Sequence, residues 1–206
     1  MKFLTYTMLI LFLFLPSVYA DQDTDAVKAL VKEKIDQVTA LIKDKSLDKK
    51  IRNDKIIALV TPILDFEFMA KLSLGRKHWK SFSKSQRKEF VDLFVTQLQD
   101  SFLEKLDLYT DEKVTYGEAK RVKTKIEVRT LLISKDSKYD IVYKFYKSKK
   151  AGQWLGYDIE IIGVSVVQTY RTQFDAAIKK DGIGGLLSKM RKKGEFTIPE
   201  KEPKKA

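Results

Sequence analysis

The sequence predicts an α+β fold: N-terminal helices packed on an antiparallel meander of about four strands, followed by C-terminal helices. Three observations predict it. Apolar residues recur at helical spacing through 24–107, most regularly as Phe90, Phe94, Leu98, Phe102 and Leu106. After Tyr109 the period drops to two. At Gly163–Ser165 it returns to the helical value, so the stretch from Gln153 to Phe174 hands a strand over to a helix. In that stretch Trp154, Tyr157, Ile159, Ile161, Ile162 and Val164 suit a pleated, half-buried surface. Ser165 with Gln168 three residues on reads as a capping box, and Val167, Tyr170, Phe174 and Ile178 form the helical stripe.

Lys2 followed by an apolar run from Phe3 to Phe14, Pro16 and Val18-Tyr19-Ala20 reads as a secretory signal peptide over 1–20, cut after Ala20. The run is shorter than the roughly 20 residues of a spanning anchor. Thr24 to Lys43 is the first helix, with Asp23 or Thr24 as cap. Ser46 is placed to cap a second, which Thr61-Pro62 ends or redirects. Phe66, Met69 and Leu72 to Leu74 have helical spacing, Gly75 fits a left-handed C-terminal position, and Arg76 to Lys80 reads as a basic connection holding His78 and Trp79. Ser83 with Gln86 opens the longest helix, to about Asp107.

Lys113 to Glu118 is a short strand. Val122, Thr124, Ile126, Val128 and Thr130 alternate with charged residues, and Tyr139, Ile141, Tyr143 and Phe145 supply the apolar face of the next strand. After Ile178, Gly182 ends the helix and a segment with Ile183, Leu186, Leu187 and Met190 closes the fold. Residues 21–193 are expected as a single α+β domain, and 194–206, rich in charge and proline, as a disordered tail.

The chain has no Cys, so it has neither disulfides nor thiol chemistry. Its net charge is +12; losing the first 20 residues removes only Lys2 and leaves +11. A basic surface fits lipid headgroups or acidic docking partners, and secretion argues against nucleic acid. Catalytic and metal motifs are missing. His78 is the sole His, no Gly-x-Ser-x-Gly elbow occurs, and no calcium-loop spacing is present. Asp158, in mid-strand between Tyr157 and Ile159, is the one candidate base: a carboxyl facing an apolar pocket could serve a secreted isomerase-type enzyme. Against that stand solvation or pairing with a cation such as Arg171, which could otherwise meet a phosphate.

The order Phe66, Leu74-Gly75, Trp79, Gln86, Phe90, then Trp154, Tyr157-Asp158, Gly163-Val164-Ser165, Tyr170-Arg171 and Gln173-Phe174 resembles the MlaC-like periplasmic phospholipid-binding proteins of the maintenance-of-lipid-asymmetry pathway, the toluene-tolerance auxiliary family. The likeness covers roughly 24–193. It implies a curved sheet with an apolar cavity between the layers and a soluble, non-catalytic carrier of glycerophospholipid without cofactor. It also implies two partners, an outer-membrane lipoprotein complex and an inner-membrane ABC transporter complex with its substrate-binding membrane protein. The lipid-binding residues expected on this reading are Phe66, Met69, Phe90, Phe94, Ile126, Val128, Ile141, Tyr143, Val167, Tyr170 and Phe174, each of which serves equally well as plain core. Lys71, Arg76 and Lys77 are candidates for docking at headgroups or acidic partners. A protein-binding adaptor without a cavity is the third reading.

Overall fold

The computed structural model describes residues 21–107, 112–134, 137–198 and 204–205; the expected signal peptide lies outside them. Helix α1 spans Gln22–Lys43 and α2 spans Lys49–Val60. Their caps differ from those expected. Asp21 occupies the α1 cap position without a side-chain bond, while the Thr24 hydroxyl donates back to the Asp21 carbonyl at 2.6 Å. Asp48, not Ser46, caps α2: its Oδ1 accepts from the N–H groups of Lys50 and Ile51, whereas the Ser46 hydroxyl is bound to Asp44. A carboxylate on the two leading amides also meets the positive end of the helix dipole. Pro62 sits in a single 3-10 turn, Thr61–Ile63.

Helix α3, Phe66–Ser81, starts at Asp65, whose carboxylate accepts from Phe68 N–H at 2.9 Å. Gly75 has a positive φ of 76 as expected, but with ψ 155 it is extended rather than left-handed helical, and it kinks the helix rather than ending it. His78 and Trp79 are therefore helical, not part of a connection. Two interactions account for the restart. The Arg171 side chain packs where a Cβ on Gly75 would stand, 3.2 Å from its Nε. Arg87 donates to the carbonyls of Trp79 and Lys80, satisfying groups that a helix end leaves bare. Helix α4, Lys84–Asp107, opens with the expected capping box: Ser83 N–H donates to Gln86 Oε1 at 2.9 Å and Gln86 N–H to Ser83 Oγ at 3.2 Å.

The sheet is an antiparallel meander of β1 (Lys113–Val122), β2 (Lys125–Ile133), β3 (Ser137–Lys147), β4 (Trp154–Ile161) and β5 (Val164–Ser165), in that order. A two-residue β6 (Lys204–Lys205) pairs with the start of β3. β1 runs four residues further than expected, and the turn falls at Lys123, φ 57. Opposite residues share a face: Ile126 with Phe145, Val128 with Tyr143, Thr130 with Ile141. This is the apolar face read from alternation. α1 lies on it, packing Val27 and Val31 against Ile126, Val128 and Phe145.

β4 turns into β5 through Ile162 and Gly163, both at positive φ, the geometry that matches strand twist in a two-residue hairpin. Helix α5, Val166–Met190, follows, and Ser165 caps it by accepting from Gln168 N–H at 3.1 Å. Gly182 breaks α5 at φ 69, but the helix resumes and reaches Met190. The expected tail is ordered as far as Ile198. Phe196 is buried edge-on against Phe174, centroids 5.1 Å apart, and Gln173 donates to the Thr197 carbonyl at 2.6 Å. A second cluster, built from α3, α4 and α5 with Tyr157, forms the main core. Among the described residues no helix is long and apolar enough to cross a membrane.

Candidate functional site: an apolar interior in two seams

Ten of the eleven residues expected to line a lipid slot divide between two clusters. Met69, Phe90, Phe94, Val167, Tyr170 and Phe174 are fully or almost fully buried together in the helical cluster, with Phe66 half-buried against it. Their rings interlock: Phe90 meets Phe174 edge-on at 5.3 Å, Phe94 meets Tyr170 at 5.5 Å, and Tyr170 stacks on Phe174 at 5.4 Å. Ile126 and Val128 belong to the other seam, beneath α1, with Tyr143 half-buried beside them. Ile141 is half-buried and sits in neither cluster. The structure thus brings seven of the residues together and places the sheet residues in a separate layer.

A strip of partly buried side chains links the seams: Tyr143 lies opposite Ile159 across β3 and β4, and Ile141 opposite Ile161. Thr130 continues it on β2; its hydroxyl is buried with no hydrogen-bond partner. Thr130 also lines a cleft of 620 Å³ where β1, β2 and β3 meet the β4–β5 turn, with Tyr116, Arg129, Asp140 and Ile162 among its walls. Tyr170, Ser73 and Gln97 carry further unpartnered buried oxygens on the helical side. Burial holds the Tyr143 and Tyr170 phenols above their ordinary pKa by disfavouring the charged form.

Asp158 is buried, 7% exposed, but it does not face an open apolar pocket. Its Oδ2 accepts from Ser165 Oγ at 2.7 Å and its Oδ1 from Val167 N–H at 3.1 Å, tying β4 to the first turn of α5. Its cation is Lys144, 3.6 Å away, not Arg171. Burial works against the Lys144 charge, but Glu160 at 2.7 Å and Asp158 hold its pKa above the ordinary value. Both carboxylate oxygens thus each hold one bond at the start of α5, a structural role for this side chain. His78, expected on a loop, lies on α3 and bonds Asp175 of α5 through Nε2 at 2.8 Å. Among the described residues no three His, Cys, Asp or Glu gather as a metal site.

Lys71 and Arg76 line a second cleft, of 480 Å³, at the α3 kink; Lys77 is exposed but does not line it. Lys80 of α3 and Arg171 of α5 join them there; that Arg171 sits beside the α3 cations the sequence did not reveal, because it depends on the contact of α3 with α5. The same holds for the Lys144–Asp158 pair, set by cross-strand register.

Fold and site together define a class of small α+β protein in which a helix-backed meander keeps its apolar interior in two separable layers. The chain belongs to the MlaC protein family, whose model matches residues 32–192. It is 26% identical over 152 residues to the intermembrane phospholipid transport system binding protein MlaC of Haemophilus influenzae, covering 72% of this chain and 68% of that protein. A solved structure of the phospholipid-binding protein from Ralstonia solanacearum, in complex with a phospholipid, superposes with a TM-score of 0.70 at 25% identity, over 80% of this chain and 94% of that one.

Proposed function

We propose that the protein is a soluble periplasmic carrier that holds glycerophospholipid tails in its apolar interior and shuttles the lipid between an outer-membrane lipoprotein complex and an inner-membrane ABC transporter complex with its substrate-binding membrane protein. The observation that carries this reading is the match to a phospholipid-bound structure over almost the whole of that chain. A tail of sixteen carbons left in water is disfavoured by roughly 12 kcal/mol, so crossing an aqueous gap requires an enclosing protein.

On this reading the tails lodge between the sheet residues Ile126, Val128, Ile141 and Tyr143 and the helical residues Phe66, Met69, Phe90, Phe94, Val167, Tyr170 and Phe174, entering along the half-buried strip on β3 and β4. The unpartnered Thr130 hydroxyl, shared by cleft and strip, is a ready donor to an ester carbonyl. The test is direct. Mature protein purified from cells is extracted with organic solvent and the extract is read by mass spectrometry. Co-purified phospholipid is the expected result. Protein that carries none, and takes none up from vesicles, overturns the reading.

A further inference from the structure

The second cleft has a composition that the tail-binding interior does not explain. Its floor is apolar: Phe68, Leu72 and Trp79, beside the Gly75 kink. Its rim is four cations, Lys71, Arg76 and Lys80 from α3 and Arg171 from α5, and no carboxylate lines it. Some other helix lysines are matched four residues on, as in Lys32–Asp36, Lys50–Asp54 and Lys88–Asp92. Among the described residues no ion pair engages any of the four rim cations. Trp79 is half-buried, with the Arg87 guanidinium 5.5 Å and the Lys71 ammonium 5.9 Å from its ring centroid.

We propose that this cleft docks the protein on an anionic bilayer surface by taking one acidic phospholipid headgroup. Charge complementarity sets the sign: four unneutralised cations converge on one recess. Size sets the kind of partner. A recess of 480 Å³ suits a single small molecule, whereas a stable protein partner covers about 800 Å² of broad surface. The floor sets the depth. An indole with cationic neighbours is at home at the headgroup level, where its body meets the first methylenes and the cations meet phosphate. The site opens on the α3–α5 face, and none of the residues proposed to hold the tails lines it.

The experiment is flotation of the mature protein with vesicles at low salt, comparing pure phosphatidylcholine with vesicles one-third phosphatidylglycerol. A Trp154→Phe background leaves Trp79 as the only indole. The protein is expected to float with the anionic vesicles alone, with Trp79 emission moving to the blue. Arg76→Gln with Arg171→Gln is expected to weaken partitioning about thirtyfold, since each cation near an anionic surface is worth roughly a factor of five. Lys149→Gln with Lys150→Gln removes the same charge from the exposed β3–β4 turn and is expected to change partitioning less than threefold. Equal flotation on neutral vesicles, an equal loss in the turn variant, or displacement by soluble polyglutamate at matched charge would each overturn the proposal. Lipid recovered from the purified protein is a separate measurement, so docking can fail while the carrier reading stands.

Discussion

Asp158 is the side chain whose removal most sharply separates a structural from a catalytic role. Asp158→Ala strips the acceptor from the buried Val167 N–H and from Ser165 Oγ, and leaves Lys144 with Glu160 alone. A buried donor left without a partner costs about 1–3 kcal/mol, and the lost bond from Ser165 Oγ, which keeps its own cap on Gln168 N–H, adds about 1 kcal/mol. The expected destabilisation is therefore about 3 kcal/mol. Asp158→Asn keeps an amide oxygen for Val167 N–H but sets an NH2 where Oδ2 accepts from Ser165 Oγ and faces Lys144; with the Ser165 hydroxyl free to turn and accept instead, about 1 kcal/mol is expected. With a urea dependence of about 2 kcal/mol per molar, the midpoint falls by about 1.5 M for Ala and about 0.5 M for Asn. Equilibrium urea unfolding followed by far-UV circular dichroism reads both shifts, and lipid content measured on folded Asp158→Asn protein is expected to be unchanged. An Ala variant within about 0.5 kcal/mol of the parent, the range of an ordinary surface change, would refute the reasoning. So would an Asn variant that folds normally but loses its lipid.

Three further outcomes follow from the packing. Truncation after Gly194 removes Phe196 from its contact with Phe174 and is expected to lower stability by about 3 kcal/mol in thermal or urea unfolding, where a disordered tail would change nothing. Gly156→Ala places a Cβ 2.7 Å from Leu64 Cδ2 and 3.4 Å from the Ile63 carbonyl, so a loss of about 1–3 kcal/mol is expected, with weakened amide-exchange protection at Asp65, whose N–H bonds the Gly156 carbonyl. The Asp175 carboxyl is held down to about 2 by His78 and then Lys179. A lowered folded pKa stabilises above the unfolded value of about 3.9 and is lost as pH falls towards 2, so Asp175→Asn is expected to flatten the acid-unfolding curve in that window.

Signals confined to one element were legible in the sequence. The Ser83–Gln86 box, the Ser165 cap, the apolar face of β2 and β3 and the positive φ at Gly75 all appear as read, because each depends on residues a few positions apart or on one period. What failed depends on partners distant in the chain. Gly75 kinks α3 instead of ending it because Arg87 and Arg171 support the second half. Phe196 is ordered because Phe174 offers it an edge, which a charged composition cannot reveal. Of the expected slot residues eight are buried and Phe66, Ile141 and Tyr143 half-buried, and they lie in more than one cluster. Periodicity says which face of an element is apolar, not which other element covers it, and α1 took the sheet face that the long helices were expected to fill.

That division bears on how such an interior can hold a lipid at all. Where the layers meet, directional polar bonds stand among apolar contacts such as Phe68 on Tyr146 and Tyr157. Asp158 grips the start of α5, Asp65 N–H bonds the Gly156 carbonyl at 2.9 Å, and the Tyr146 hydroxyl bonds the Asp65 carboxylate. Hydrogen bonds of this kind fix a register and cannot slide without leaving a buried group unpaired. The contacts inside each layer are apolar, and apolar contact is non-directional: a methylene from an acyl chain replaces one from Ile141 or Phe94 at similar free energy. On the carrier reading, tails can therefore enter between the layers by exchanging one hydrocarbon surface for another, while the hydrogen-bonded joint at β4 holds the halves in place. A protein with the same residues welded into one continuous core would have to give up its own packing for each molecule it bound, against interactions as dense as an organic crystal.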